Sequence, residues 1–137
     1  MRKYLIATHG KFASGIKTSL EIITGTCDQA FTIDAYQSEA KTIEEELELV
    51  LDQIDEEDEL IIFTDLAGGS VTNRILMKSQ QHNIYLVSGL NLPLLIEVVL
   101  ADPELTVSEI LESALVNAKE QIIDVKQWMI SNKELFD

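Results

Sequence analysis

Two stretches hold residue types that could do chemistry together: "ATHG" at 7–10 and "GGSVTN" at 68–73, the second preceded by Asp65. A neutral imidazole is a good nucleophile near pH 7 and can carry a phosphoryl group as a phosphoramidate. For that it needs one ring nitrogen free and the other hydrogen-bonded, so that tautomer and orientation are fixed, and a carboxylate is the usual orienting partner. His9 and Asp65 have those types. A phosphoryl group then needs donors, which the backbone amides around Gly68 and Gly69, the Ser70 hydroxyl and a following helix N-terminus would supply. Phosphoryl transfer asks chiefly for positioning and charge stabilisation, so this small inventory is sufficient. Each residue also has a plain structural reading: a core histidine, a turn-capping acid, a tight glycine turn and a helix-capping serine. Thr8, Lys11 and Thr64 are neighbouring polar candidates with weaker claims. Asn91 is a further candidate, His82 reads as a loop histidine and Cys27 as inert.

The elements that must position these groups follow from apolar periodicity. "YLIAT" (4–8) reads as a buried strand. Ile16, Leu20 and Ile23 then mark a helix stopped at Gly25, and "AFTIDAY" (30–36) alternates as a second strand. Thr42 and Glu45 form a capping box for a helix with the stripe Ile43, Leu47, Val50 and Ile54, whose intervening acids form a solvated face. "LIIFTD" (60–65) is a third strand closed by Asp65. Ser70 is expected to cap the next helix, through Ile75 and Leu76, and "IYLVSG" (84–89) is a fourth strand. Asn91 with Pro93 opens another helix, and Thr106 with Glu109 opens a last one along Val107, Ile110, Leu111, Ala114, Leu115 and Ala118. The stretch "QIIDVKQWMI" (121–130) fits either a helical extension or an edge strand. Alternating strands and helices require crossovers, hence an α/β fold with a mostly parallel sheet covered by helices on both faces. Ligands of such sheets sit beyond the carboxyl ends of the strands, where strand order reverses. That rule favours the residues just after strands one, three and four: His9, Asp65, the Gly68–Ser70 turn and Asn91. His82 falls on the opposite edge.

A chain of 137 residues with 46% apolar composition suits one domain over 1–137. Its net charge of −14 argues against nucleic acid and anionic membranes, and favours a basic protein partner. A single cysteine allows no internal disulfide and no cysteine-based zinc site, and no metal or cofactor is called for. The start is too short for a signal peptide, and the greasiest run, 90–101, is interrupted by Asn91, Pro93 and Glu97. A cytoplasmic protein is expected.

"IATHGKFASGIKTSLEIITG", "IIFTDLAGGSVTNR" and "VSGLNLPLLIEVV" together resemble the IIA component of the mannose-type (mannose, fructose, sorbose, galactosamine) family of the bacterial phosphotransferase system. The likeness runs from the first strand to near residue 120. It implies a cytoplasmic phosphocarrier whose histidine accepts phosphate from HPr and passes it to a IIB component for sugar uptake, with the membrane IIC and IID subunits reached only indirectly. By motif, His9 would be the phosphoryl acceptor and Asp65 its orienting acid, while Ser70, Gly68 and Gly69 would support the phosphoryl group. Asn91 falls in the third motif without an assigned role. The resemblance implies sheet order 2-1-3-4, with an additional antiparallel edge strand exchanged within a homodimer, a use for 121–130. Val71 stands where many members have proline, and Ala67 where many have an aromatic. No IIB domain follows, so IIB is expected on a separate chain.

Other classes fit less well. A receiver domain would be phosphorylated on Asp65, but it needs an acidic pair after strand one, where this chain has "THGK". A histidine phosphatase prefers arginine before its histidine, and the only arginines are Arg2 and Arg74. The phosphoryl-donor subunit of dihydroxyacetone kinases shares the early histidine, yet the fuller "GGS-x-x-N" favours sugar transport. Neither a G-x-G-x-x-G nor a P-loop is present to support a nucleotide-binding module.

Overall fold

The structure, a computed structural model, describes residues 1–81 and 83–135. His82 therefore lies outside the described residues. The chain divides into two compact units, Met1–Leu92 and Pro93–Asp137.

The first unit is built on four parallel strands, β1 (Arg2–His9), β2 (Ala30–Ala35), β3 (Glu59–Thr64) and β4 (Ile84–Ser88), in the order β2-β1-β3-β4. This is the expected order. Strand β1 is flanked on both sides, with Ala7 in register with Ile33 and with Thr64. Strands covered on both faces read as continuous apolar runs, and Leu60, Ile61, Ile62 and Phe63 are fully buried. The helices of this unit are α1 (Phe12–Thr24), α2 (Ile43–Leu51) and α3 (Ser70–Lys78). The step from β1 to β2 runs opposite to the steps β2 to β3 and β3 to β4. Right-handed crossovers therefore put α1 on one face of the sheet and α2 with α3 on the other. One core cluster accordingly joins Leu5, Ala7, Leu60 and Ile62 to Leu47 and Val50 of α2 and Val71 and Ile75 of α3. Thr42 caps α2, accepting the Glu45 N–H at 3.1 Å.

Several expectations are corrected. His9 is the last residue of β1 rather than the residue after it, and Asp65 lies one residue beyond β3. Ile23 leaves the α1 stripe and is 55% exposed, because Ala13, Ile16 and Leu20 already complete the buried face. Ile54 falls beyond the end of α2. Gly69, not Ser70, is the N-cap of α3, and no side chain caps that helix; the Ser70 hydroxyl is bonded elsewhere.

The second unit carries α4 (Leu92–Val99, its first residue at the boundary), α5 (Val107–Glu120), α6 (Val125–Ser131) and a short 3-10 turn, Lys133–Leu135. The capping box at α5 is complete, Thr106 and Glu109 exchanging two 3.1 Å hydrogen bonds. Val107, Ile110, Ala114 and Ala118 of its stripe are buried and Leu111 and Leu115 half-buried. The stretch 121–130 contributes no edge strand within the chain: Asp124 accepts the Gln127 N–H and starts α6, which buries no residue. Among the described residues no helix is long and apolar enough to cross a membrane.

Candidate functional site

Neighbouring strands β1 and β3 end side by side, and each delivers one functional group. Asp65 Oδ2 accepts the main-chain N–H of His9 at 3.0 Å and lies 3.0 Å from His9 Nδ1. An ionised carboxylate only accepts, so Nδ1 carries the proton and Nε2 keeps the lone pair of the neutral ring. The His9 side chain is 39% exposed while that of Asp65 is 12% exposed. The acid is thus sheltered and the ring accessible. Burial works to raise the Asp65 pKa, but the hydrogen bonds from the His9 main chain, the His9 ring and its own main chain outweigh it and hold the carboxyl below its usual range.

The turn between β3 and α3 closes onto the imidazole. A Cβ on Gly69 would come within 3.1 Å of Leu66 Cβ, 3.2 Å of the Leu66 carbonyl oxygen and 3.3 Å of His9 Cε1. A side chain here would force these neighbours to give way by a few tenths of an ångström, so glycine suits the turn's approach to the carbon between the two ring nitrogens. The Gly69 N–H donates to the Leu66 carbonyl at 3.0 Å, so Gly69 serves by close approach rather than as a donor. Gly68 faces open space and is exposed. Ser70 and Val71 begin α3, and their N–H groups have no intrahelical acceptor. Gly10 takes φ +59°, and a Cβ there would meet only Gln37 at 3.7 Å, so its left-handed backbone, rather than the space above it, asks for glycine.

Two of the polar candidates of lesser claim, Thr8 and Thr64, have structural partners. Thr8 Oγ1 accepts the Ala13 N–H at 2.7 Å and anchors the start of α1. Asp34 does likewise for Ser14, accepting its N–H at 3.0 Å and its hydroxyl at 2.7 Å. Lys11 is the exposed N-cap residue of α1 and makes no capping side-chain bond. Thr64 sits in a buried hydroxyl chain: its Oγ1 is 2.7 Å from Thr72 Oγ1 and 2.8 Å from Ser88 Oγ, and Thr72 donates to the Leu66 carbonyl at 2.6 Å. This chain ties the Asp65–Gly69 turn to α3 and β4. Asn91 stands past the end of β4, two strands from β1, just before α4. Cys27 is buried and its thiol pKa is raised by burial.

A residue that sequence reasoning missed is Tyr36. It follows β2, the one strand end not searched for polar groups, and it adopts φ +66°, a conformation rare for a bulky side chain. That turn places its ring 5.6 Å from the His9 ring, tilted by 48°, and its hydroxyl 2.6 Å from Ser70 Oγ. The Ser70 hydroxyl pulls the phenol below its ordinary pKa against the opposing effect of burial, and Arg74 adds to the pull. Arg74 is itself gripped by Glu44, through Nε to Oε1 at 2.7 Å and Nη2 to Oε2 at 2.5 Å. The Arg74 guanidinium lowers the Glu44 pKa to about 2.

A histidine held against a carboxylate stands at the carboxyl ends of a reversing parallel sheet, where α/β folds place their ligands. The EIIA-man family model, described as the PTS system fructose IIA component, matches residues 3–115, and the chain belongs to this mannose-type IIA family of the phosphotransferase system. The PTS system fructose-specific EIIA component of Bacillus subtilis is 26% identical over 115 residues, 82% of this chain and 79% of its own. A Klebsiella pneumoniae structure described as a phosphoenolpyruvate-dependent sugar PTS permease superposes with a TM-score of 0.87 at 35% identity, covering 93% of each chain. The phosphotransferase system component EIIA of Streptococcus agalactiae gives 0.76 at 27% identity, over 93% of this chain and 99% of that one. Family membership carries a phosphocarrier role in a sugar phosphotransferase system.

Proposed function

We propose that the chain accepts a phosphoryl group from HPr on His9 Nε2 and passes it to a IIB component. The observation that carries this reading is the 3.0 Å contact between His9 Nδ1 and Asp65 Oδ2, which leaves Nε2 as the nucleophilic nitrogen of an exposed ring. In the transfer the Nε2 lone pair attacks the phosphorus of a donor phosphohistidine. The donor P–N bond breaks and its electron pair stays on the donor nitrogen. The donor keeps the proton on its other ring nitrogen and departs as neutral imidazole. His9 becomes a phosphorylated imidazolium, its Nδ1–H held by the Asp65 carboxylate, and the reverse sequence delivers the group to IIB. Ser70, the exposed Gly68 amide and the first-turn amides of α3 are the donors for the phosphoryl oxygens, with Gly69 keeping them close to the ring.

A homodimer working in the cytoplasm belongs to the same reading. Ile122, Val125, Trp128, Met129 and Ile130 stand exposed on a helix and approach that bury nothing, an apolar surface that a second copy would cover.

Incubation with phosphoenolpyruvate, enzyme I and HPr should place an acid-labile, base-stable label on His9. His9→Gln should abolish it with an unchanged melting curve. Undiminished labelling of that variant refutes the proposal, and a base-labile label mapping to Asp65 would transfer the chemistry to a receiver-type carboxylate.

A further inference from the structure

Tyr36 has no place in the chemistry just described, yet its backbone is held in a left-handed conformation that brings its side chain over the reactive ring. Such conformations persist only where surrounding contacts impose them, and they concentrate at functional sites. The contacts here form a directed series. A phosphoryl oxygen on His9 can only accept, so a Ser70 hydroxyl that serves it gives up its single hydrogen there. The 2.6 Å contact between Ser70 Oγ and the Tyr36 hydroxyl is then donated by Tyr36. A Ser70 oxygen that accepts from Tyr36 has its single hydrogen free to donate elsewhere. Ser70 follows Gly69, whose backbone lies against His9 Cε1, next to the nitrogen that keeps the lone pair.

We propose that Tyr36 is a positioning residue for phosphoryl transfer: its hydroxyl donates to Ser70 and thereby aims the Ser70 hydrogen at a phosphoryl oxygen on His9. The relay rests on the phosphocarrier reading and extends it by one residue that does not itself touch the phosphoryl group. It moves no proton between residues. Its effect is to hold one rotatable hydroxyl in the orientation that transfer requires, so that this bond need not be ordered during the reaction.

The test compares the full chain with Tyr36→Phe, Ser70→Ala and the double variant, measuring His9 labelling across a range of phospho-HPr concentrations. Tyr36→Phe keeps the ring over His9, so a structural contribution of the aromatic is retained. The expected result is a maximal transfer rate lowered about 3- to 10-fold, the worth of one oriented hydrogen bond, at an unchanged half-saturating HPr concentration. The double variant should be no slower than Ser70→Ala alone, because Tyr36 acts through Ser70. Full wild-type rate in Tyr36→Phe, multiplying losses in the double variant, or a loss confined to half-saturation would each overturn the relay while leaving His9 as phosphocarrier. Wild-type protein that takes no label on His9 would overturn both.

Discussion

Replacing Asp65 with asparagine changes one charge at nearly constant shape. In the wild type the carboxylate lies 3.0 Å from His9 Nδ1, and in the proposed transfer the ring passes from neutral to cationic. The Coulomb gain on forming the cation at that distance is about 1.4 kcal/mol at the dielectric of water and about 5.5 kcal/mol at an effective value of about 20. With the ring 39% exposed and the acid 12% exposed, solvent screens part of the larger figure, which leaves about 2 to 3 kcal/mol. Each ~1.36 kcal/mol is tenfold in rate, so Asp65→Asn should phosphorylate about 30- to 160-fold more slowly. The amide oxygen of asparagine can still accept the His9 main-chain N–H, so the melting temperature should fall less than in a variant that removes this acceptor. Asp65→Ala leaves that N–H without its acceptor and should also lose about 1 to 3 kcal/mol of stability. The assay is rapid-quench labelling from saturating phospho-HPr, with thermal unfolding alongside. An asparagine variant within threefold of the wild-type rate would refute the idea that Asp65 charge stabilises the phosphorylated ring.

The same carboxyl sets an acid limit on stability. Its folded pKa is depressed below the unfolded value of about 3.9, so its contribution is fully present above that value and is lost as pH falls through the folded pKa. In denaturant titrations the stability gap between wild type and Asp65→Asn should be constant above about pH 5 and close progressively below pH 4. Gly69→Ala should slow labelling of His9 and lower the melting temperature together, because its methyl group would sit 3.2 Å from the Leu66 carbonyl and 3.3 Å from His9 Cε1. A variant with unaltered labelling would show that the turn need not press against the ring.

Much of this site is legible in the sequence because it depends on where strands end. Continuous apolar runs closed by His9 and near Asp65 mark buried parallel strands, and the carboxyl-end rule then ranks those residues above His82. Side-chain direction is less legible. Ser70 has the residue type of a helix cap, yet its hydroxyl goes to Tyr36, a partner 34 residues away that no local pattern indicates. The hydroxyl chain of Thr64, Thr72 and Ser88 is likewise invisible until three separate elements are brought together. Tyr36 was accessible in principle, since β2 has a carboxyl end like the others. The tail 121–130 has apolar residues at spacings that suit a strand or a helix, and the Asp124 cap decides the matter locally.

The strand order explains why one imidazole can collect so many partners. The strand order reverses at β1, so the connection leaving it goes to one face of the sheet while that leaving β3 goes to the other, and the ends of the two strands are left uncovered between them. His9 and Asp65 occupy those two ends. Because β1 is central, its other neighbour β2 also ends beside His9, with Ala35 in register and Tyr36 following. Three adjacent strand ends thus contribute a histidine, the carboxylate that contacts it and an aromatic hydroxyl. An edge position for the first strand would have removed one of those neighbours. The sheet's order, more than any single motif, is therefore what lets the histidine ring be 39% exposed and still hydrogen-bonded to a carboxylate at Nδ1.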